Sequence, residues 1–195
     1  MFPVNLPNVL TVLRILLVPV VVVSLLGNSP EGDVLAAAVF ALASLTDFVD
    51  GYLARARDSV TSFGKLMDPL ADKLLIVAAL ISLVSLQRVA AWVAMVIIAR
   101  ELAVTMLRMG ASHTGVVIGS SFLGKLKTAV QIATILAIIA VQGDPVWLSV
   151  LIYVMVAITV ISGLDYFFGL RRHVQAARAA VDNASGASPA QPRTS

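Results

Sequence analysis

Cysteine is absent from this 195-residue chain, which excludes disulfides and thiolate metal centres and leaves only oxygen or imidazole ligands for a metal. Charge is scarce as well: Asp, Glu, Lys and Arg make up 13% of the residues against 59% for the apolar and aromatic ones, whereas soluble chains carry about a quarter charged. There is no room for a separate soluble domain, and no basic start ahead of a small-residue cleavage site marks a secretory leader. Of the two histidines, His113 falls in a polar segment and reads as solvated rather than as a metal ligand. What remains is an all-α integral membrane protein, long enough for about six spans of about 20 residues each. No nucleic-acid partner is expected.

Taken in order, the apolar runs place spans over roughly 9–26, 34 into an acidic stretch, that stretch to 86, 90–109, 123–141 and 146–170. Asn8 stands where it could cap the first helix. Arg14 falls in the first two turns of that helix, where it either snorkels to the interface or meets an anionic ligand. Gln87 and Arg88 make a short turn, and Trp92 and Trp147 suit interfacial anchors. Lys and Arg concentrate after spans two, four and six, while the alternate loops hold only Arg88. The positive-inside rule then puts both termini and the acidic stretch on the cytoplasmic side of the inner membrane. Residues 1–174 form one six-helix membrane domain in this reading. Residues 175–195, rich in Ala, Ser, Pro and Gln from Ala176 onward, read as a disordered cytoplasmic tail.

The acidic stretch, SLTDFVDGYLARARDSVTSFGKLMDPLAD from Ser44 to Asp72, is the anomaly in this apolar chain. On helices, Asp47 and Asp50 at i, i+3 share one face, and Asp68 and Asp72 at i, i+4 share another. Gly51 and Ala54 continue the first stripe; Gly64 and Ala71 continue the second. Small residues beside the carboxylates leave space for a ligand. Pro69 removes a backbone donor next to the second pair, so a bend is expected there. An aspartate at mid-membrane costs about 2.5 to 3.5 kcal/mol, and clustered carboxylates repel one another unless cations join them. Pairing with Arg55, Arg57, Lys65 and Lys73 at the interface would meet that cost singly. The two same-face pairs with their small-residue stripes favour divalent metal, and four oxygen ligands favour Mg²⁺ or Mn²⁺.

The ordered pattern Asp47, Asp50-Gly51, Ala54-Arg55, Gly64, Asp68, Asp72 resembles, at every fixed position, the signature of the CDP-alcohol phosphatidyltransferase family. That resemblance implies the family's six-helix membrane fold and a homodimer. It also implies two divalent cations held by Asp47, Asp50, Asp68 and Asp72, with Asp72 doubling as the general base. Gly51 and Ala54 would let a cytidine approach, Arg55 would bind the diphosphate, and Thr61 and Gly64 would also serve the donor. Two metals about 3.5 to 4 Å apart suit the bridging and leaving oxygens of such a transfer.

Further segments, NLPNVLTVLR near the start, ARELAVTMLR at 99–108, GKLKTAVQ at 124–131 and DYFFGLRR at 165–172, resemble the bacterial branch that uses CDP-diacylglycerol as donor and glycerol 3-phosphate as acceptor. An anionic acceptor suits basic residues that the acidic motif does not use, and Arg100, Arg108, Lys125 and Lys127 are the candidates for its phosphate. Topology alone also favours cations at Arg108, Lys125 and Lys127, near cytoplasmic helix ends. A cardiolipin synthase or a phosphatidylinositol phosphate synthase of the same family is the alternative. An ion carrier is the alternative outside it, although a carrier would spread its acidic residues along a path. If Asp72 is the base, Asp72→Asn nearly abolishes turnover and spares part of the donor binding, as measured by CMP release and equilibrium binding of CDP-diacylglycerol. Parallel loss of both would make Asp72 chiefly a metal ligand.

Overall fold

The computed structural model describes residues 6–57, 62–113, 122–143 and 145–186, with side chains over 9–46, 73–110, 123–143 and 145–172. The described residues form six helices: α1 (Leu6–Leu26), α2 (Pro30–Arg57), α3 (Ser62–Ser85), α4 (Ala91–His113), α5 (Phe122–Ala140) and α6 (Val146–Gly186). Three of them, α1, α5 and α6, hold windows long and apolar enough to cross a membrane, and Lys73–Ser85 on α3 is a shorter apolar stretch.

Local chemistry accounts for the boundaries. At the α1–α2 turn Asn28 takes the left-handed conformation at φ 45°, which Asn tolerates better than most residues. Ser29 then caps α2, its Oγ accepting from the Gly32 N–H at 3.0 Å, with Pro30 opening the helix and Glu31 and Asp33 in its first turn against the positive dipole end. Helix α3 closes in a Schellman motif: Arg88 N–H donates to Leu83 O at 2.9 Å and Gln87 N–H to Val84 O at 3.0 Å, with Gln87 at φ 61°.

Helix α3 runs on through Pro69. Three expectations change. Helix α1 begins at Leu6, so Asn8 falls inside it instead of capping it. His113 closes α4, so it does not lie in a loop. Over 175–186 the expected disordered tail is helix, because α6 carries on to Gly186; its run of alanines has high helix propensity and meets no interior Gly or Pro after residue 172. At about 1.5 Å per residue its 41 residues are about twice as long as a hydrocarbon core of about 30 Å is thick.

Helices α2 and α3 both pack on α1 and touch each other; α5 packs on α2 and α6, and α4 packs on α3 and α6. Side chains such as Phe40, Leu80, Leu83, Ile97, Ile135 and Met155 fill the space between them. The outside is apolar too. Val23, Val34, Met95, Tyr153 and Phe168 are exposed, while Arg14, Glu101, Lys127, Gln131 and Thr134 are buried. Apolar surface outside and charge inside is the arrangement a lipid solvent selects. Among the exposed aromatics, Trp92 and Tyr153 lie with ring centroids 6.2 Å apart, near the α3–α4 and α5–α6 turns.

The α1–α2, α3–α4 and α5–α6 connections converge at the end of the bundle remote in sequence from the acidic stretch. They frame a cavity of about 370 Å³ lined by Asn28, Asp33, Gln87, Arg88 and Gln142, among others. Arg88 Nη2 donates to Asp33 Oδ2 at 2.8 Å and to Asn28 Oδ1 at 3.2 Å. That pairing pins one helical hairpin to the next and explains the one basic residue in these loops. Close backbone approach does the same within the first hairpin, where a Cβ on Gly32 would fall 2.4 Å from Ser24 O. Backbone cannot yield as a flexible side chain can, so Gly32→Ala is expected to cost about 1–3 kcal/mol and to lower the thermal unfolding midpoint of the detergent-purified protein. An unchanged midpoint would show that α1 and α2 separate freely at this turn.

Candidate functional site

The two acidic pairs stand on continuous helices. Helix α2 carries Asp47, Asp50, Gly51, Ala54 and Arg55, and helix α3 carries Gly64, Asp68 and Asp72. Helical register keeps each pair on one face, and α2 and α3 are neighbours. The side chains of these eight residues, and Thr61 altogether, lie outside the described residues. Among the described residues no group of three or more His, Asp or Glu is placed to hold a metal. The donor set itself fits a hard divalent cation, being all carboxylate oxygen with no sulfur or imidazole in the motif.

One residue beyond Asp72 in the chain, the bundle holds a buried ion cluster. Lys73 Nζ lies 2.9 Å from Glu101 Oε2. Glu101 Oε1 accepts from Lys127 Nζ and from Arg100 Nη1 at 3.2 Å. Arg100 continues to α6, where its Nη2 donates to Ser162 Oγ at 2.6 Å. The Arg100 stem crosses α6 at Gly163, where an added Cβ would lie 3.2 Å from Arg100 Cγ, so a small residue at that crossing admits the guanidinium. Glu101 and Lys127 are each 2% exposed. One carboxylate thus gathers cations from α3, α4 and α5 and, through Arg100, a hydroxyl from α6. Charge-assisted hydrogen bonds of this kind are shorter and stronger than neutral ones, and they are needed where water is excluded.

Of the four basic residues proposed for the acceptor phosphate, this cluster brings together two, Arg100 and Lys127. Lys125 is exposed. Arg108 is exposed too and lies over the Tyr166 ring, its guanidinium carbon 5.6 Å from the centroid, a cation–π contact. Tyr166 is mostly buried, whereas Asp165 is exposed. Arg14 is 2% exposed, so it does not snorkel to the interface; its charge is held inside the bundle between α1 and its neighbours.

Sequence reasoning missed Lys73 and Ser162 as members of this cluster. The available signal for Lys73 was its position immediately after Asp72, which had suggested a partner for the aspartates. The structure sets its ammonium beside Glu101, while the aspartate side chains lie outside the described residues. For Ser162 the sequence offered no signal, since a serine in an apolar span usually bonds to its own helix, as Thr134 does to Val130 O at 2.7 Å.

The CDP-alcohol phosphatidyltransferase family matches residues 4–161, and the chain belongs to that family. A CDP-diacylglycerol–glycerol-3-phosphate 3-phosphatidyltransferase of Bacillus subtilis (strain 168) is 41% identical over 181 residues, covering 84% of this chain and 93% of the relative. A probable phosphatidylglycerophosphate synthase of Mycobacterium tuberculosis (strain CDC 1551 / Oshkosh) is 42% identical over 167 residues, covering 83% and 79% respectively. A 3-phosphatidyltransferase of the first kind from Rickettsia bellii (strain RML369-C) is 37% identical over 175 residues, covering 87% and 97%.

Proposed function

We propose that this protein transfers a phosphatidyl group from CDP-diacylglycerol to glycerol 3-phosphate, giving phosphatidylglycerophosphate and CMP. The observation that carries the acceptor assignment is the cluster of Lys73, Arg100 and Lys127 around the single carboxylate of Glu101, adjoining the acidic motif in the chain. Basic side chains gathered at one place suit an acceptor that carries a phosphate. The names of the curated relatives support both substrates.

Asp47, Asp50, Asp68 and Asp72 would hold two divalent cations, Mg²⁺ or Mn²⁺, whose chemistry is to neutralise the diphosphate as its charge develops. The remaining steps belong to the chain. Arg55 binds the diphosphate, and Gly51, Ala54, Thr61 and Gly64 leave room for the donor beside it. Arg100 and Lys127, with Lys73, hold the acceptor phosphate and so aim its hydroxyl at the phosphatidyl phosphorus. Asp72 takes the hydroxyl proton as the new P–O bond forms. The P–O bond to CMP breaks, and CMP leaves with that bond's electrons.

The topology that supports this reading has six spans and the motif facing the cytoplasm, within the inner membrane of a bacterial cell. Lys and Arg in alternate loops support that orientation, with Arg88 at the opposite end held by the buried Asp33. A homodimer follows from the family resemblance. A cardiolipin synthase would need its acceptor pocket open to a second lipid. The names of the curated relatives, which give glycerol 3-phosphate as acceptor, favour a small anion instead.

Detergent-purified protein supplied with CDP-diacylglycerol, Mg²⁺ and one acceptor at a time tests the assignment. CMP release is expected with glycerol 3-phosphate and not with phosphatidylglycerol or inositol phosphate; release with either of those alone would move the protein to another branch of the family. In the same assay Arg100→Ala should lower the rate with glycerol 3-phosphate at least tenfold while leaving the slow rate with glycerol nearly unaltered. An equal fall with both acceptors would remove Arg100 from the phosphate pocket.

A further inference from the structure

The cavity framed by the α1–α2, α3–α4 and α5–α6 turns takes no part in the reaction proposed above. Its volume of about 370 Å³ falls in the range of about 300–1,000 Å³ that small-ligand pockets occupy. Asn28, Asp33, Gln87, Arg88 and Gln142 supply its polar wall. Asp33 is 4% exposed, and its Oδ2 accepts from Arg88 Nη2 at 2.8 Å. The second carboxylate oxygen, Oδ1, and the second terminal nitrogen of Arg88, Nη1, are both buried and have no hydrogen-bond partner among the described residues. A clasp between two hairpins uses one oxygen and one nitrogen. It leaves a carboxylate acceptor and a guanidinium donor on the same pair unsatisfied, which is costly away from water. The cavity also stands at the end of a span. Gln142 and Gly143 line it, the apolar window of α6 opens at Val146, and Val146 and Trp147 are exposed. An exposed tryptophan at the end of a span belongs at the level of lipid headgroups.

We propose that this cavity binds the zwitterionic phosphoethanolamine headgroup of an aminophospholipid. The ammonium donates to Asp33 Oδ1, and a phosphate oxygen accepts from Arg88 Nη1. A small turn about the terminal bonds of the two side chains brings these atoms to the cavity surface. A ligand with charge of one sign meets one attractive and one repulsive neighbour here. A zwitterion meets both favourably, through charge-assisted hydrogen bonds. The amides of Asn28, Gln87 and Gln142 offer donors and acceptors to the remaining headgroup oxygens, and the apolar wall of Leu86, Ile138 and Leu148 suits its methylenes. The acyl chains lie outside, against the exposed apolar start of α6. The site is remote in sequence from the acidic motif, so the lipid held there is a ligand and not a substrate.

The test uses the full chain in detergent, titrated separately with dioleoyl phosphatidylethanolamine and dioleoyl phosphatidylcholine, with bound lipid counted by native mass spectrometry. Phosphatidylcholine keeps the phosphate and the positive charge but has no N–H to donate to Asp33. The first phosphatidylethanolamine is expected to bind at least fivefold more tightly than the first phosphatidylcholine, and equal binding of the two would overturn the proposal. Asp33→Asn and, separately, Gln142→Trp should each bring that preference below twofold. Gln142 is exposed, so a tryptophan there covers the cavity without disturbing the packed interior. If Asp33→Asn loosens the clasp and does not yield monodisperse protein, Gln142→Trp decides alone: an intact preference in it would overturn the proposal. Free O-phosphoethanolamine separates the two sources of this chemistry. Displacement of the bound lipid by it supports the site with the headgroup alone as ligand, and failure to displace supports the site with the intact lipid as ligand.

Discussion

A carboxylate with almost no access to solvent, Glu101, is the constraint around which the inner half of this bundle is arranged. Removing one partner from a buried ion pair costs about 3–5 kcal/mol, so the helices that supply its partners are held in register with α4. Lys73 ties in α3, Lys127 ties in α5, and Arg100 reaches Ser162 on α6. Gly163 fits the same scheme, since the Arg100 stem lies where a side chain would otherwise stand. Apolar contact alone would not do this. In lipid, the outer and inner surfaces of a helix are both apolar, and helix association gains little from burying one more leucine.

The two ends of the bundle use the same chemistry for different ends. At the turns remote from the motif, Arg88, Asp33 and Asn28 match one cation with one anion and one amide, and the turn residues Asn28 and Gln87 adopt left-handed backbone to make the hairpins tight. That is a balanced clasp. At the motif end, among the described residues, Lys73, Arg100 and Lys127 meet the Glu101 carboxylate, on a bundle whose α2 and α3 carry four aspartates. An acidic motif and a set of basic side chains together suit a reaction that joins a diphosphate donor to a phosphate-bearing acceptor.

The apolar runs and their turn residues made six helices readable, because hydrophobic length and breakers such as the Gly27-Asn28 and Gln87-Arg88 turns act locally. The acidic motif was readable for the same reason: its spacing is a property of one stretch of chain. Partnerships across helices were not. Lys73 follows Asp72 in the chain, and only the packing of α3 against α4 also sets it beside Glu101. Arg108 and Lys127 looked equivalent on their helix ends, yet one lies over Tyr166 and the other is buried on Glu101. Arg14 looked able to reach the interface because depth was judged along the helix axis, whereas its burial depends on which face meets α2 and α3. The extension of α6 was hidden by composition, since alanine-rich sequence favours helix without the apolar periodicity that announces one.

The account stands on direct transfer of the phosphatidyl group to the acceptor's own hydroxyl. Glycerol 3-phosphate carrying ¹⁸O in its C1 hydroxyl, incubated with CDP-diacylglycerol and the protein, measures this by mass spectrometry of the lipid and of CMP. The account predicts that the label appears in the phosphodiester of phosphatidylglycerophosphate and that CMP is unlabelled. Labelled CMP, or unlabelled phosphatidate formed with CMP in place of the labelled lipid, would contradict it.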